Sequence, residues 1–86
     1  MAQMQPASHF AVGAVLLHRK SARRYQVLHG PDLCCIEAGR VPAYAYRLHA
    51  PEGAGDPMVW VRPAAEMEDG RFVVVAQATG GADAGG

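Results

Sequence analysis

Side chains able to do reaction chemistry are few in this chain, and their positions narrow what that chemistry could be. Nucleophilic catalysis needs a hydroxyl or thiol beside a base that a third group orients. The serine and threonine hydroxyls are Ser8, Ser21 and Thr79, which fall in terminal segments or in a turn. What remains is Cys34 or Cys35 with His29 or His49. On an alternating strand one of two adjacent thiols points inward and the other outward. Buried free cysteine behaves as a small hydrophobe, so both thiols read as structural and no catalytic residue is expected.

Metal and phosphate chemistry fare no better. His9, His18, His29 and His49 supply ligand atoms together with the cysteines, but their spacing matches none of the C-x2-C, H-x3-H or H-E-x-x-H patterns. The glycine pairs Gly80-Gly81 and Gly85-Gly86 have no strand before them and no helix after, as a phosphate loop requires. Neither a metal nor a cofactor is therefore expected. Glu66, Glu68 and Asp69 lie close together on what reads as an exposed turn, where solvation keeps carboxylates ordinary. They are read as surface charge.

Two groups suit binding better than reaction. Arg19, Lys20, Arg23 and Arg24 surround Ser21 and Ala22, with His18 and Tyr25 on either side. Such a turn could hold phosphates while its rings stack on bases. Eight basic residues balance eight acidic ones, however, and the chain lacks the net charge that sequence-independent nucleic-acid binding draws on. The turn reads first as a solvated hairpin tip that guards against edge pairing. Tyr44, Tyr46, Trp60 and Phe72 form the aromatic set. Most of it, Trp60 included, is expected in the core. On paired strands Tyr44, Tyr46 and Trp60 would also stand near one surface, where a shallow groove rimmed by Arg62 suits an extended or proline-rich peptide. Arg62 and Arg71 either rim that groove or pair with Glu66 and Glu68.

These residues need a scaffold, and the chain has room for one. At 86 residues, half of them apolar, it supports a single small core, and domains of this size bury roughly 60–65% of the surface their unfolded chains expose. A partner subunit could therefore contribute to stability. Short apolar runs recur with turn formers between them, the rhythm of a β-sandwich or barrel. Strands are expected over residues 10–18, 24–30, 33–37, 43–49, 58–62 and 71–77. Gly13 marks a bend in the first, and residues 19–24 form a hairpin turn. Residues 50–57, with two prolines and two glycines, read as the most exposed connection. Pro63 closes the fifth strand and opens one helical turn over residues 63–67. Asp69-Gly70 then turns the chain into the last strand. The domain spans residues 9–78, between polar tails over 1–8 and 79–86. The expected fold is all-β, a small SH3-like partly open barrel of five to six antiparallel strands with a short helical turn before the last.

The adjacent cysteines cannot close a disulfide on ordinary strand geometry. Free thiols suit a reducing cytoplasm, and no run of the chain has the pattern of a signal peptide or the length of a membrane span.

Several segments carry a resemblance: His18-Arg19-Lys20-Ser21, Tyr25-Gln26-Val27-Leu28, Ala45-Tyr46-Arg47, Trp60-Val61-Arg62-Pro63 and Glu66-Met67-Glu68-Asp69-Gly70-Arg71-Phe72. Over residues 16–75 the chain resembles an uncharacterised family of small bacterial and phage proteins with SH3-like barrels. The resemblance implies the barrel and implies no activity, since fold alone does not license function. The expectation is a non-enzymatic binding or regulatory module that engages a protein partner or self-associates, away from membranes. The alternative is a nucleic-acid-binding module using the turn at Arg19, Lys20, Arg23 and Arg24.

Overall fold

The computed structural model describes residues 10–77. The segments read as tails, 1–8 and 79–86, lie outside the described residues. Six antiparallel strands follow one another: β1 Val15–His18, β2 Arg23–His29, β3 Cys35–Ile36, β4 Val41–Leu48, β5 Trp60–Pro63 and β6 Phe72–Ala76. A single helical turn, α1 Ala64–Met67, stands between β5 and β6, and a 3-10 turn, Ala38–Arg40, joins β3 to β4. β1 pairs β2, β2 pairs β4 and β4 pairs β5, while β6 returns to pair β1 and the short β3 pairs the start of β4. This order, with its helical turn ahead of the returning strand, makes an all-β, SH3-like, partly open barrel.

Local chemistry explains the joints. The β1–β2 hairpin turns on Ala22, whose φ of 63° is left-handed and whose N–H donates to the His18 carbonyl at 2.7 Å. Ser21 Oγ lies 2.8 Å from His18 Nδ1 and accepts from the Arg23 N–H at 3.3 Å, so the serine braces the turn. Pro63 ends β5 and precedes α1, where its missing N–H costs nothing. Between α1 and β6, Gly70 takes a φ of 103° that a side chain would strain, and Asp69 Oδ1 accepts from the Arg71 N–H at 3.1 Å.

The first strand begins later than the apolar run suggests. Gly13, at a φ of 92°, sits in a turn before β1 rather than in a bend within it, and its N–H donates to Val27 O at 2.8 Å. A register shift between Val27 and His29 in the β2–β4 pairing turns His29 out to solvent, off the face that Tyr25 and Val27 share. The loop over residues 50–57 is also less free than its composition implies. Gly53 is buried, and a Cβ there would stand 2.3 Å from Leu48 Cβ and 2.9 Å from the Leu48 carbonyl oxygen. Glu52 accepts from the Arg24 N–H at 3.1 Å and pairs with its guanidinium at 3.3 Å.

Leu16, Val27, Tyr44, Tyr46, Met67 and Phe72 form the core with Ala14 and Ala64. Tyr25, Tyr46 and Phe72 meet edge to face, with ring centroids 5.3 to 6.2 Å apart, a geometry that adds to their large area burial. Four consecutive residues of β4, Ala43, Tyr44, Ala45 and Tyr46, are buried. Partners flank this strand on both edges, and two of the four side chains are no larger than a methyl. Trp60 corrects the expected core. It opens an edge strand, stands 44% exposed and is absent from the buried cluster.

Candidate functional site

The three rings expected to form one groove are separated by burial. Tyr44 is fully buried, and its hydroxyl accepts from the Phe10 N–H at 2.8 Å and donates to Glu68 Oε2 at 2.5 Å. Burial first, and then the bond to Glu68, push this hydroxyl far above its ordinary ionisation range. Glu68 is thus a fastening for the core rather than plain surface charge. Tyr46 is buried too, and its hydroxyl accepts from Arg62 Nε at 3.3 Å. Neither tyrosine offers a ring face to a partner. Trp60 alone of the three does.

What surrounds Trp60 is an apolar edge. Met58 and Val59 precede it and Val61 follows, and all four are between 44% and 53% exposed. Trp60 and Tyr46 are opposite one another across the β4–β5 pairing, so they share a face of the sheet. Only the tyrosine lies deep enough to be covered. Among the described residues β5 pairs β4 alone. The second edge, β6, also shows valines: Val73 and Val74 are less exposed than the run at β5, while Val75 equals Trp60.

Arg62 lies on the same face as Trp60 but is engaged by the core and the acidic turn rather than left to rim a groove. Its guanidinium lies 5.8 Å from the centre of the Phe72 ring and 3.2 Å from Glu66 Oε1. Arg71 pairs with the same Glu66 oxygen at 3.5 Å and with Asp69 at 3.0 Å. The expected partners of the two arginines are therefore right for Glu66, with Asp69 in the place of Glu68.

The basic turn divides. Arg24 is held by Glu52, whereas Arg19, Lys20 and Arg23 are exposed and make no ion pair among the described residues. Arg19 reaches the Gly70 carbonyl at 3.4 Å, and its N–H donates to Arg71 O at 2.9 Å. These contacts join the hairpin tip to the turn before β6 and frame a cleft of about 500 Å³ lined by His18, Arg19, Lys20, Arg62, Gly70 and Arg71. The flanking rings turn inward. His18 packs on Phe72 with centroids 4.9 Å apart, and Tyr25 belongs to the ring cluster of the core. Burial, and then the charges of Arg62, Lys20 and Arg71, hold the His18 imidazole below its ordinary pKa.

Comparison of the chain with protein-family models, with curated proteins and with solved structures finds no match.

Cys34 and Cys35 are free thiols, the first half-buried and the second exposed. They border a shallow hollow with Pro31, Asp32, Leu33, Arg40 and Pro42, and no imidazole lines it. Among the described residues, no group of three His, Cys, Asp or Glu side chains converges on a common point as a metal ion would need. No helix among them is long and apolar enough to cross a membrane.

Sequence reasoning found the cations of the turn and missed their partners in the cleft, because Arg62, Gly70 and Arg71 join Arg19 and Lys20 only when β6 returns to β1. It also missed the exposure of Met58, Val59 and Val61. A strand apolar on both faces reads as buried, and nothing local marks it as an edge.

Proposed function

We propose that the chain is a non-enzymatic binding or regulatory module that engages a protein partner, or a second copy of itself, along β5. The observation that carries this reading is the row Met58, Val59, Trp60 and Val61, each about half exposed, of which the first two lead into β5 and the last two lie on it, a strand paired on one side only among the described residues. An open strand edge offers unpaired backbone groups, and proteins ordinarily protect such edges with charge, proline or a bulge. β5 has Arg62 and Pro63 at its far end, but its first half and the residues leading into it are apolar and carry tryptophan, a residue enriched where a few contacts dominate binding energy. An extended segment added beside β5 would pair its backbone and cover the apolar side chains at once. β5 is preferred to β6 because it carries the tryptophan and because Met58 and Val59 extend its apolar surface, whereas β6 offers valines only. A cytoplasmic setting rests on the free thiols, and a bacterial or phage origin on the family resemblance.

The nucleic-acid reading has less behind it. One of its four cations is engaged by Glu52, and the rings that were to stack on bases, His18 and Tyr25, pack on Phe72.

Light scattering after size exclusion, over a range of protein concentrations, tests the proposal together with capture of an extended apolar peptide. Self-association or peptide binding that survives high salt, and that Trp60→Asp abolishes without unfolding the domain, is the expected result. A strict monomer that binds no such peptide, or association that Trp60→Asp leaves intact, would remove the case for β5.

A further inference from the structure

The cleft between the hairpin tip and the turn before β6 has charges to spare. Four cations line it, Arg19 and Lys20 from the hairpin, Arg62 from β5 and Arg71 from the entry to β6. Two carboxylates, Glu66 and Asp69, pair with Arg62 and Arg71. Arg19 and Lys20 make no ion pair among the described residues, which leaves two positive charges uncompensated at one opening. We propose that this cleft binds a phosphate monoester or inorganic phosphate, a compact dianion that matches the surplus in charge and is held by donors from three parts of the chain.

The geometry supports a compact anion over a polymer. Guanidinium groups present several N–H donors in a fixed plane and suit the oxygens of a phosphoryl group. The lining contains one ring, His18, and that ring packs against Phe72, so no aromatic platform is free to stack successive bases as single-strand binding requires. Arg19 is already drawn toward Gly70 by its side-chain bond to that carbonyl and by the backbone bond to Arg71. The donors are therefore partly gathered before a ligand arrives, and preorganisation of this kind lowers the cost of binding. Arg23 and Arg24 lie on the same hairpin but outside the cleft.

His18 supplies a reporter inside the site. It lines the cleft together with Lys20 of the hairpin, Arg62 of β5 and Arg71 before β6, and its Nδ1 lies 2.8 Å from Ser21 Oγ. An anion among those cations offsets the charges that disfavour protonation, so its arrival should raise the imidazole pKa.

The test is a titration of the full chain with inorganic phosphate and with phenyl phosphate at low ionic strength. Backbone amide and His18 imidazole resonances are followed by NMR. Expected are saturable shifts in the amides of residues 18–20 and 70–71 and an upward move of the His18 pKa on saturation. Arg19→Glu and Lys20→Glu should each weaken binding by about tenfold or more, and Arg23→Glu should leave it nearly unchanged. Amide spectra that match the parent before ligand is added show that each variant is folded. The proposal is overturned by shifts that never saturate, by an Arg23→Glu loss equal to that of Lys20→Glu, or by a short oligonucleotide that binds more tightly than phenyl phosphate.

Discussion

β4 and β5 lie side by side and carry similar side chains to opposite ends. Tyr46 of β4 and Trp60 of β5 face each other across the pairing, yet the first is 5% exposed and the second 44%. The difference lies in neighbours rather than in residue type. β4 has strands on both edges and the core beneath its tyrosines, and the phenol groups close their own hydrogen bonds with Glu68 and Arg62. β5 has β4 on one edge alone, and its apolar side chains on either face reach solvent. An aromatic ring is part of the interior only where the topology builds a wall over it, and the strand that lacks one is left available for contact.

Substitutions at these two strands should separate sharply. Tyr44→Ala removes a fully buried ring and should cost about 3–5 kcal/mol in denaturant unfolding. A loss below about 1 kcal/mol, the usual size of a surface change, would erase the contrast. Tyr44→Phe keeps the ring but removes the hydroxyl that accepts from the Phe10 N–H and donates to Glu68, and should cost about 1–3 kcal/mol. This variant also checks a pH effect. Because the folded state holds the Tyr44 proton well above its ordinary pKa of 10.0, the unfolded chain releases that proton first as the solution becomes alkaline. The contribution is complete below pH 10 and fades as pH climbs beyond it. Unfolding midpoints measured across that range should fall less steeply in Tyr44→Phe than in the parent.

Gly53→Ala probes the anchored loop beside the end of β4. Its Cβ would collide with Leu48, and a cost of about 1–3 kcal/mol is expected from overpacking. A neutral result would mean that the loop can move away from β4 freely. Trp60→Ala should change stability by less than about 1 kcal/mol while lowering self-association or peptide capture. Severe destabilisation would place this ring with Tyr44 after all and collapse the difference between the strands. Smallest of all is Arg23→Ala, expected within about 0.5 kcal/mol of the parent, since its side chain is exposed and makes no ion pair among the described residues.

The barrel was largely legible because its signals are local. Alternation marks β2 and β4, Pro63 separates β5 from α1, and Asp69-Gly70 turns the chain into β6. Each can be read within a few residues. Phe72 as a core ring followed from the same patterns. Trp60 did not, because the chain does not announce locally which strand becomes an edge. That outcome depends on β6 returning to β1 and on β4 taking the centre, both long-range events. The cleft was half visible for a similar reason. Arg19 and Lys20 stand together in the chain, whereas Arg62 and Arg71 reach them only through the folded sheet. The link from Tyr44 to Glu68 joins a strand to the turn after α1, and no spacing rule connects the two.

The chain has one tryptophan, and its half-exposed place on β5 fixes what optical measurements will report. Its emission should already be shifted to longer wavelength in the native state and change little on melting, so indole fluorescence will understate loss of structure. The same signal should respond strongly when something dry settles over the edge, which makes this side chain a built-in indicator of docking rather than of folding.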